Sequence, residues 1–328
     1  MRYTNRLYAQ SVLVLTALCV LTSCGPRVRP VILQREWTAN AEFAGDVWAS
    51  EVARTHGLTL EVREGSELLD PLKVVRSGGA HFGVASSDRI LRENEGGADL
   101  VILATATYKS PVVFLTHPAQ RIKSPSQFRG RTVGIQAGTN TDLVFKSLLR
   151  SQGLSSTEMR VVESGWGTTN FETGAIDVLA AFDYDEPVQL ERKAVPFEVI
   201  QPERYGVRFI GTVYFTRRAL IREDPQLVQA FMDALVEGWR NALRAPSDAL
   251  AKLVARFKEI DKQKELQSFD RGRPYFAGEH GRLLYASQER WNEMAATLIS
   301  LGVLKSFAFE ANVDYRFLES ALNKGTAK

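Results

Sequence analysis

The chain has 328 residues, 24% charged and 45% hydrophobic, with a net charge of +3. That length exceeds one ordinary core and points to two lobes. The two charge signs are mixed along the chain with no basic stripe, which argues against nucleic acid as a partner.

Arg2 and Arg6 precede an apolar stretch over 7–21, and Leu21-Thr22-Ser23-Cys24 follows. A basic start, a short apolar run and small residues are the pattern of a secretory signal, expected over 1–23. The run is too short and interrupted for a good membrane span. Its end resembles the lipobox of a bacterial lipoprotein signal. That resemblance implies cleavage before Cys24, diacylglycerol on its sulfur, and a membrane-anchored protein facing the periplasm or exterior. The only cysteines are Cys19 and Cys24. Once Cys19 leaves with the signal, Cys24 has no partner for a disulfide, and acylation gives it a purpose. Residues 24–30 then read as a tether.

Beyond the tether the pattern alternates. Strands are expected over 31–33, 58–62, 81–85 and 100–106. Between them come a loop at 37–40, a helix on Phe43, Val47, Trp48 and Val52 that stops at Gly57, a short helix over 68–75, and a helix capped by Ser86-Ser87-Asp88. This β-α-β-α-β-α-β order implies a parallel sheet covered on both faces. A second, smaller unit follows: strands over 111–115, 131–135, 160–162, 176–182 and 197–200, with a helix from Gly138-Thr139-Asn140 to about Gln152. Residues 205–215 are apolar without helical period and read as a strand returning to the first lobe. The remainder is helical, over 225–243, from Pro246, over 283–301 and over 315–322.

The stretch 174–187 carries most of the functional argument. Residues 176–182 form an apolar run with no helical period, the mark of a strand buried on both faces. Tyr184 and Glu186 follow two residues apart, on one side of the chain if it stays extended. Ligands of open α/β sheets bind outside the carboxyl ends of strands. The segment 78–85 echoes 174–181: a glycine, a small residue, a buried strand, then polar residues. Two such strand ends on two lobes would face one cleft.

These features together resemble the substrate-binding proteins of bacterial ABC importers, in the branch joining sulfonate-binding proteins with thiamine-pyrimidine-binding and pyrimidine-synthase-like proteins. The resemblance runs from about 37 to 250. It rests on Trp37, Asn40 and Ala44-Gly45; on 78–87; on 130–135 with Gly138-Thr139; on Asp185-Glu186-Pro187; and on 225–243 with Ala230-Phe231 and Gly238-Trp239. His81 stands where many relatives have aspartate. No cysteine remains besides Cys24, which sets aside the self-sacrificing synthases of the branch.

The resemblance implies an α/β periplasmic-binding-protein type II fold: two α/β lobes joined by a two-stranded hinge, with extra C-terminal helices. The lobes would comprise 31–113 plus 213–328, and 114–212. It also implies a small-molecule cargo captured by hinge closure, an ABC permease with its ATPase as partner, a monomer, and no covalent chemistry.

The expected lining is Trp37, Asn40, Phe43, Ser86, Ser87, Thr139, Asn140, Trp166, Tyr184, Glu186 and Tyr214. Flat rings stack on flat heterocycles, and a buried carboxylate accepts from amino groups while repelling anions. In pyrimidine-binding relatives a tyrosine and a glutamate stand where Tyr184 and Glu186 do, which favours a thiamine-precursor pyrimidine. A sulfonate- or nitrate-type anion is the competing ligand, because Thr139-Asn140 and Ser86-Ser87 lie at helix starts where free N–H groups attract negative charge. Either pair serves equally as a plain cap. Riboflavin and a non-transport surface scaffold stay open. An enzyme is not expected: His56, His81, His117 and His280 make no metal-ligand spacing, no Gly-x-Ser-x-Gly is present, and no cofactor is implied.

Overall fold

The computed structural model describes residues 28–165 and 167–324. The expected signal, Cys24 and Trp166 lie outside the described residues.

The strands are β1 (Arg29–Arg35), β2 (Leu58–Arg63), β3 (Phe82–Ser86), β4 (Leu100–Thr105), β5 (Val112–Thr116), β6 (Thr132–Ile135), β7 (Arg160–Glu163), β8 (Val178–Phe182), β9 (Glu198–Ile200) and β10 (Thr212–Arg217). They form two sheets of five, in the orders β2-β1-β3-β10-β4 and β7-β6-β8-β5-β9. β1 pairs in parallel with β2 and β3, and β6 pairs in parallel with β7 and β8. Each sheet holds one strand that runs against its neighbours: β10 in the first, β5 in the second. The chain enters the second sheet on β5 and returns to the first on β10. The result is the two-lobed α/β fold expected from the sequence.

The helices are α1 (Ala44–Val52), α2 (Pro71–Arg76), α3 (Ser87–Glu95), α4 (Asn140–Ser151), α5 (Thr169–Glu172), α6 (Glu186–Arg192), α7 (Arg218–Glu223), α8 (Pro225–Arg244), α9 (Pro246–Arg256), α10 (Lys262–Phe276), α11 (Gln288–Ser300), α12 (Phe309–Asn312) and α13 (Arg316–Lys324). β4 stands at the edge of the first sheet yet is buried along its whole length, its outer side bridged from Ile102 to Val313. α8 starts at Asp224, whose carboxylate accepts from the Leu227 N–H at 3.0 Å. It buries Leu227, Phe231, Leu235 and Trp239. Two glycines set how closely α8 approaches α1. A Cβ on Gly238 would lie 2.4 Å from the Ala49 nitrogen, and one on Gly45 would lie 2.2 Å from the Trp239 ring. This close crossing holds α1 under the edge of the first sheet.

Three expectations need correction. The return strand does not occupy 205–215: β10 begins at Thr212, and the preceding apolar residues form a chain crossing. That crossing runs against the one after β4. Ser110 N–H donates to Phe209 O at 2.7 Å, Gly211 N–H to Thr107 O at 3.1 Å, and Ala106 N–H to Thr212 O at 2.9 Å. Val207, Phe209 and Ile210 are buried there as hinge packing. Second, Glu186 is not on an extended segment with Tyr184. It opens α6, because Pro187 has its φ preset for a first helical turn. Third, the bounds of the helical remainder differ: 262–276 is a helix of its own although it contains Gly272 and Pro274, and the helix expected over 283–301 begins only at Gln288. Asp261 caps it, accepting from Gln263 and Lys264 N–H at 2.9 and 3.0 Å.

Candidate functional site

The carboxyl ends of β1 and β3 in the first lobe face those of β6 and β8 in the second. Four side-chain contacts cross the space between them or roof it. Asn140, at the start of α4, donates to Asp88 of α3 at 3.0 Å. Tyr184, after β8, donates its O–H to Glu42. On α10, Lys264 bonds Asp185, and Arg271 bonds Asp183 at 2.8 Å.

Beneath the first lobe's face lies a buried charge network. Arg35, the last residue of β1, is 2% exposed. Its guanidinium bonds Asp46 and Glu42, the latter at 3.0 Å, and sits 4.1 Å over the Phe43 ring. Asp46 also accepts from the Tyr214 O–H, which accepts from Trp239 Nε1 at 2.7 Å. Burial works against the Arg35 charge, and Asp46, Tyr214 and Glu42 outweigh it, so its pKa is raised. Burial raises the Glu42 pKa, opposed by Arg35 and by the Tyr184 hydroxyl. A buried ion pair keeps its charge only when its remaining hydrogen-bonding capacity is met, and here it is.

The structure spreads the expected site residues over several roles. Phe43 and Tyr214 are fully buried under the cleft and support it from below. Asn40 caps the turn before α1, accepting from Glu42 N–H at 2.9 Å. Trp37, half-buried, lies in the loop after β1. Ser86 donates its N–H and O–H to Glu36, at 2.8 and 3.1 Å. Ser87 faces the hinge: its N–H donates to Gly211 O at 2.9 Å and its O–H to Ile210 O at 2.8 Å. Thr139 donates its hydroxyl to Gln136 O at 2.7 Å. Tyr184 is buried at the seam, its ring centroid 5.6 Å from Tyr275 and 5.4 Å from Phe276. Glu186 is 4% exposed, and its carboxylate turns back to accept the Phe182 N–H at 2.8 Å. Burial, with the charge of Asp185 beside it, pushes its pKa up to about 7.

Both helix starts at the cleft hold carboxylates of the chain itself. Glu36 sits on Ser86 and also bonds Arg89. Before α4, Asp142 accepts from Gly138 N–H at 3.1 Å and Glu163 from Ala137 N–H at 3.0 Å.

Sequence reasoning missed Glu36, Glu42, Asp46 and the whole of α10. A signal was present for two of them: Glu42 and Asp46 are four apart, which brings side chains together at a helix start. Lys264, Arg271 and Tyr275 share one face at offsets of seven and eleven, but only if the segment is first known to be a helix.

Beside the hinge, Lys109, Ser110, Glu203, Arg208, Tyr275 and Arg290 line a cavity of about 30 Å³, room for one or two waters. Among the described residues there is no His/Cys/Asp/Glu cluster suited to a metal, and no helix long and apolar enough to cross a membrane.

The chain is 22% identical to riboflavin-binding protein RibY of Chloroflexus aurantiacus over 68% of its length; the match spans 65% of that relative, just under two thirds. It is 21% identical to a Haemophilus influenzae protein named for thiamine biosynthesis, covering 85% of this chain and 91% of that one. The periplasmic aliphatic sulphonate binding protein SsuA of Escherichia coli shares the fold, with a TM-score of 0.69 at 15% identity over 85% of this chain and 89% of that one. The family model described as NMT1/THI5 like matches residues 54–249, more than half of the chain, and the chain belongs to that family.

Proposed function

We propose that this protein is an extracytoplasmic solute-binding receptor. It takes a small N-heterocycle between its lobes, closes on it, and delivers it to an ABC permease with its ATPase. Lipid on Cys24 anchors it to the membrane. The observation that carries this reading is the apposition of Tyr184 and Glu42 across the seam. A phenol beside aromatic rings on one side and a carboxylate on the other are the two contacts an amino-substituted heterocycle uses: stacking and an amino-group acceptor. Opening the hinge frees both groups, and closure over a ligand that bonds them favours the closed state by their differential contact.

A thiamine-precursor pyrimidine is the favoured ligand, supported by the relative named for thiamine biosynthesis. The relative named for riboflavin keeps a flavin as the second reading. The carboxylates already seated at Ser86, Gly138 and Ala137 count against a sulfonate, which would meet occupied donors and like charge. Trp37, Ser86, Thr139 and Asn140 are assigned to the cleft wall in this reading, Phe43 and Tyr214 to its support, and Glu186 to the turn that presents Tyr184.

A thermal-shift screen of the mature protein tests it, with 4-amino-5-hydroxymethyl-2-methylpyrimidine, riboflavin and ethanesulfonate. A ligand present at 100 times its Kd stabilises by about 2.7 kcal/mol. The pyrimidine is expected to shift the transition, and Tyr184→Phe with Glu42→Gln to abolish that shift. A shift with ethanesulfonate alone overturns the ligand class; no shift with any of the three overturns the receptor reading.

A further inference from the structure

α10 lies across the seam, and its residues sort by direction. With Lys264 as zero and about 100° per residue, Arg271 and Tyr275 fall within about 20° of it. All three bond the second lobe: Lys264 to Asp185, Arg271 to Asp183 and Glu191, and Tyr275 O–H to Asp183 at 2.7 Å. Glu265, Phe276 and Phe269 lie about 100–140° round. Glu265 and Phe276 reach the first lobe: Glu265 accepts from Ala41 N–H at 2.6 Å and Phe276 packs 5.4 Å from the Trp239 ring as well as 5.4 Å from Tyr184, with Phe269 against Phe276 within the helix. Ser268 and Gly272, at about 40° and 80°, are the two positions between these rows. The Gly272 position is filled by the Phe276 ring, 2.5 Å from where a Cβ would stand.

Ser268 is different. It is 1% exposed, and its hydroxyl is buried with no hydrogen-bond partner among the described residues. A helical serine commonly returns its hydroxyl to the carbonyl one turn back; this one does not. Buried polar atoms are satisfied in the great majority of cases, so an orphan on the one line of α10 that faces the seam asks for a partner from the seam.

We propose that α10 is a wall of the ligand site and that Ser268 Oγ is a ligand-binding group. Its partner is a polar edge atom of a flat heterocycle, a ring nitrogen or exocyclic oxygen accepting from the hydroxyl, with Tyr184 at the ring face. This rests on the solute-binding reading and extends it to a helix outside the residues 54–249 that match the family. It also gives Lys264, Arg271 and Tyr275 a part in capture: they bring Ser268 to the seam only when the second lobe is closed.

The test compares wild type with Ser268→Ala and Ser268→Cys in two measurements. One is titration calorimetry with 4-amino-5-hydroxymethyl-2-methylpyrimidine and with riboflavin. The other is the melting temperature without ligand. Losing one ligand hydrogen bond should weaken binding about tenfold in Ser268→Ala and less in Ser268→Cys, which keeps a weak donor of similar size. Without ligand, Ser268→Ala should melt about 2 °C higher, since it removes an unsatisfied buried hydroxyl. Unchanged affinity in Ser268→Ala overturns the assignment. A lower ligand-free melting temperature does so too, because it reveals a protein or water partner for the hydroxyl. A wild type that binds neither compound overturns the heterocycle reading itself and, with it, the role of Ser268.

Discussion

Two strand ends face each other across the cleft, and each is finished by a glutamate. The last N–H of β3, on Ser86, donates to Glu36 at 2.8 Å, and the last N–H of β8, on Phe182, donates to Glu186 at 2.8 Å. The hydrogen bonds match, but the surroundings do not. Glu36 arrives from 50 residues earlier, is 24% exposed, and shares its charge with Arg89. Glu186 comes from the next turn of the same segment, is 4% exposed, and has Asp185 beside it. A carboxylate can close a strand end either as a neutralised ion at the surface or as a buried acid near its own titration point. Variants at the two positions should therefore behave oppositely.

The largest effect is expected at Glu186. Its pKa is raised from 4.5 to about 7, by burial first and the Asp185 charge second, against the Phe182 N–H and Lys264. The folded protein therefore holds this proton more tightly than the unfolded chain. The contribution is fully present below pH 4.5 and is lost as pH rises through 7, so that by pH 8 stability has fallen by about 3 kcal/mol. Glutamine keeps the acceptor for Phe182 and has no charge to desolvate. Glu186→Gln should therefore match wild type at pH 4.5 and exceed its unfolding free energy by up to about 3 kcal/mol at pH 8, measured by urea denaturation. A variant less stable than wild type at pH 8 would mean that the carboxylate has a cationic partner strong enough to hold it charged.

The end of β3 sends one bond across the seam and the end of β8 sends Tyr184, Asp183 and Asp185, so the first lobe's is the easier to isolate. Asp88 is fully buried, accepts from Asn140 at 3.0 Å, and retains Arg92 at 3.0 Å when Asn140 is removed. Asn140→Ala should cost the closed form about 1.5–3 kcal/mol, the range for a hydrogen bond to a charged group. Spin labels on the two lobes should report a longer mean separation. An unchanged distance distribution would place the closing force in the Tyr184 and α10 contacts alone.

The lobes, both sheets and most helices were legible because each carries a local signal: unbroken apolar runs for β4 and β8, a proline or an acid at the start of α8. The paired echo of 78–85 and 174–181 led to strand ends that do face each other. What stayed hidden depends on distant partners. Nothing near Glu36 in the sequence announces Ser86 or Arg89. Glu186 followed an apolar strand and looked extended, yet Pro187 places it in a helix. α10 was legible only as part of a helical remainder, and its own bounds stayed hidden because Gly272 and Pro274 interrupt its pattern. Its stability comes from the Asp261 cap, from Phe276 on the first lobe, and from ion pairs with the second.

The smallest effect tests the other half of the comparison. In Glu36→Gln the amide still accepts from Ser86 N–H, so the strand end stays closed, but the attraction to Arg89 is lost. That pair is 24% and 31% exposed, and such pairs contribute little because water screens them and ordering two long side chains opposes them. A loss of about 1 kcal/mol or less is expected in urea denaturation at low salt. It should shrink toward zero near 1 M salt, where the screening length falls to about 3 Å. Glu36→Gln should thus lower stability where Glu186→Gln raises it, and should depend on salt where Glu186→Gln depends on pH. A loss at Glu36 that persisted in high salt would show that its second oxygen acts through geometry rather than charge, by positioning Arg89 against Asp70 at 3.1 Å. The two glutamates would then differ in exposure alone.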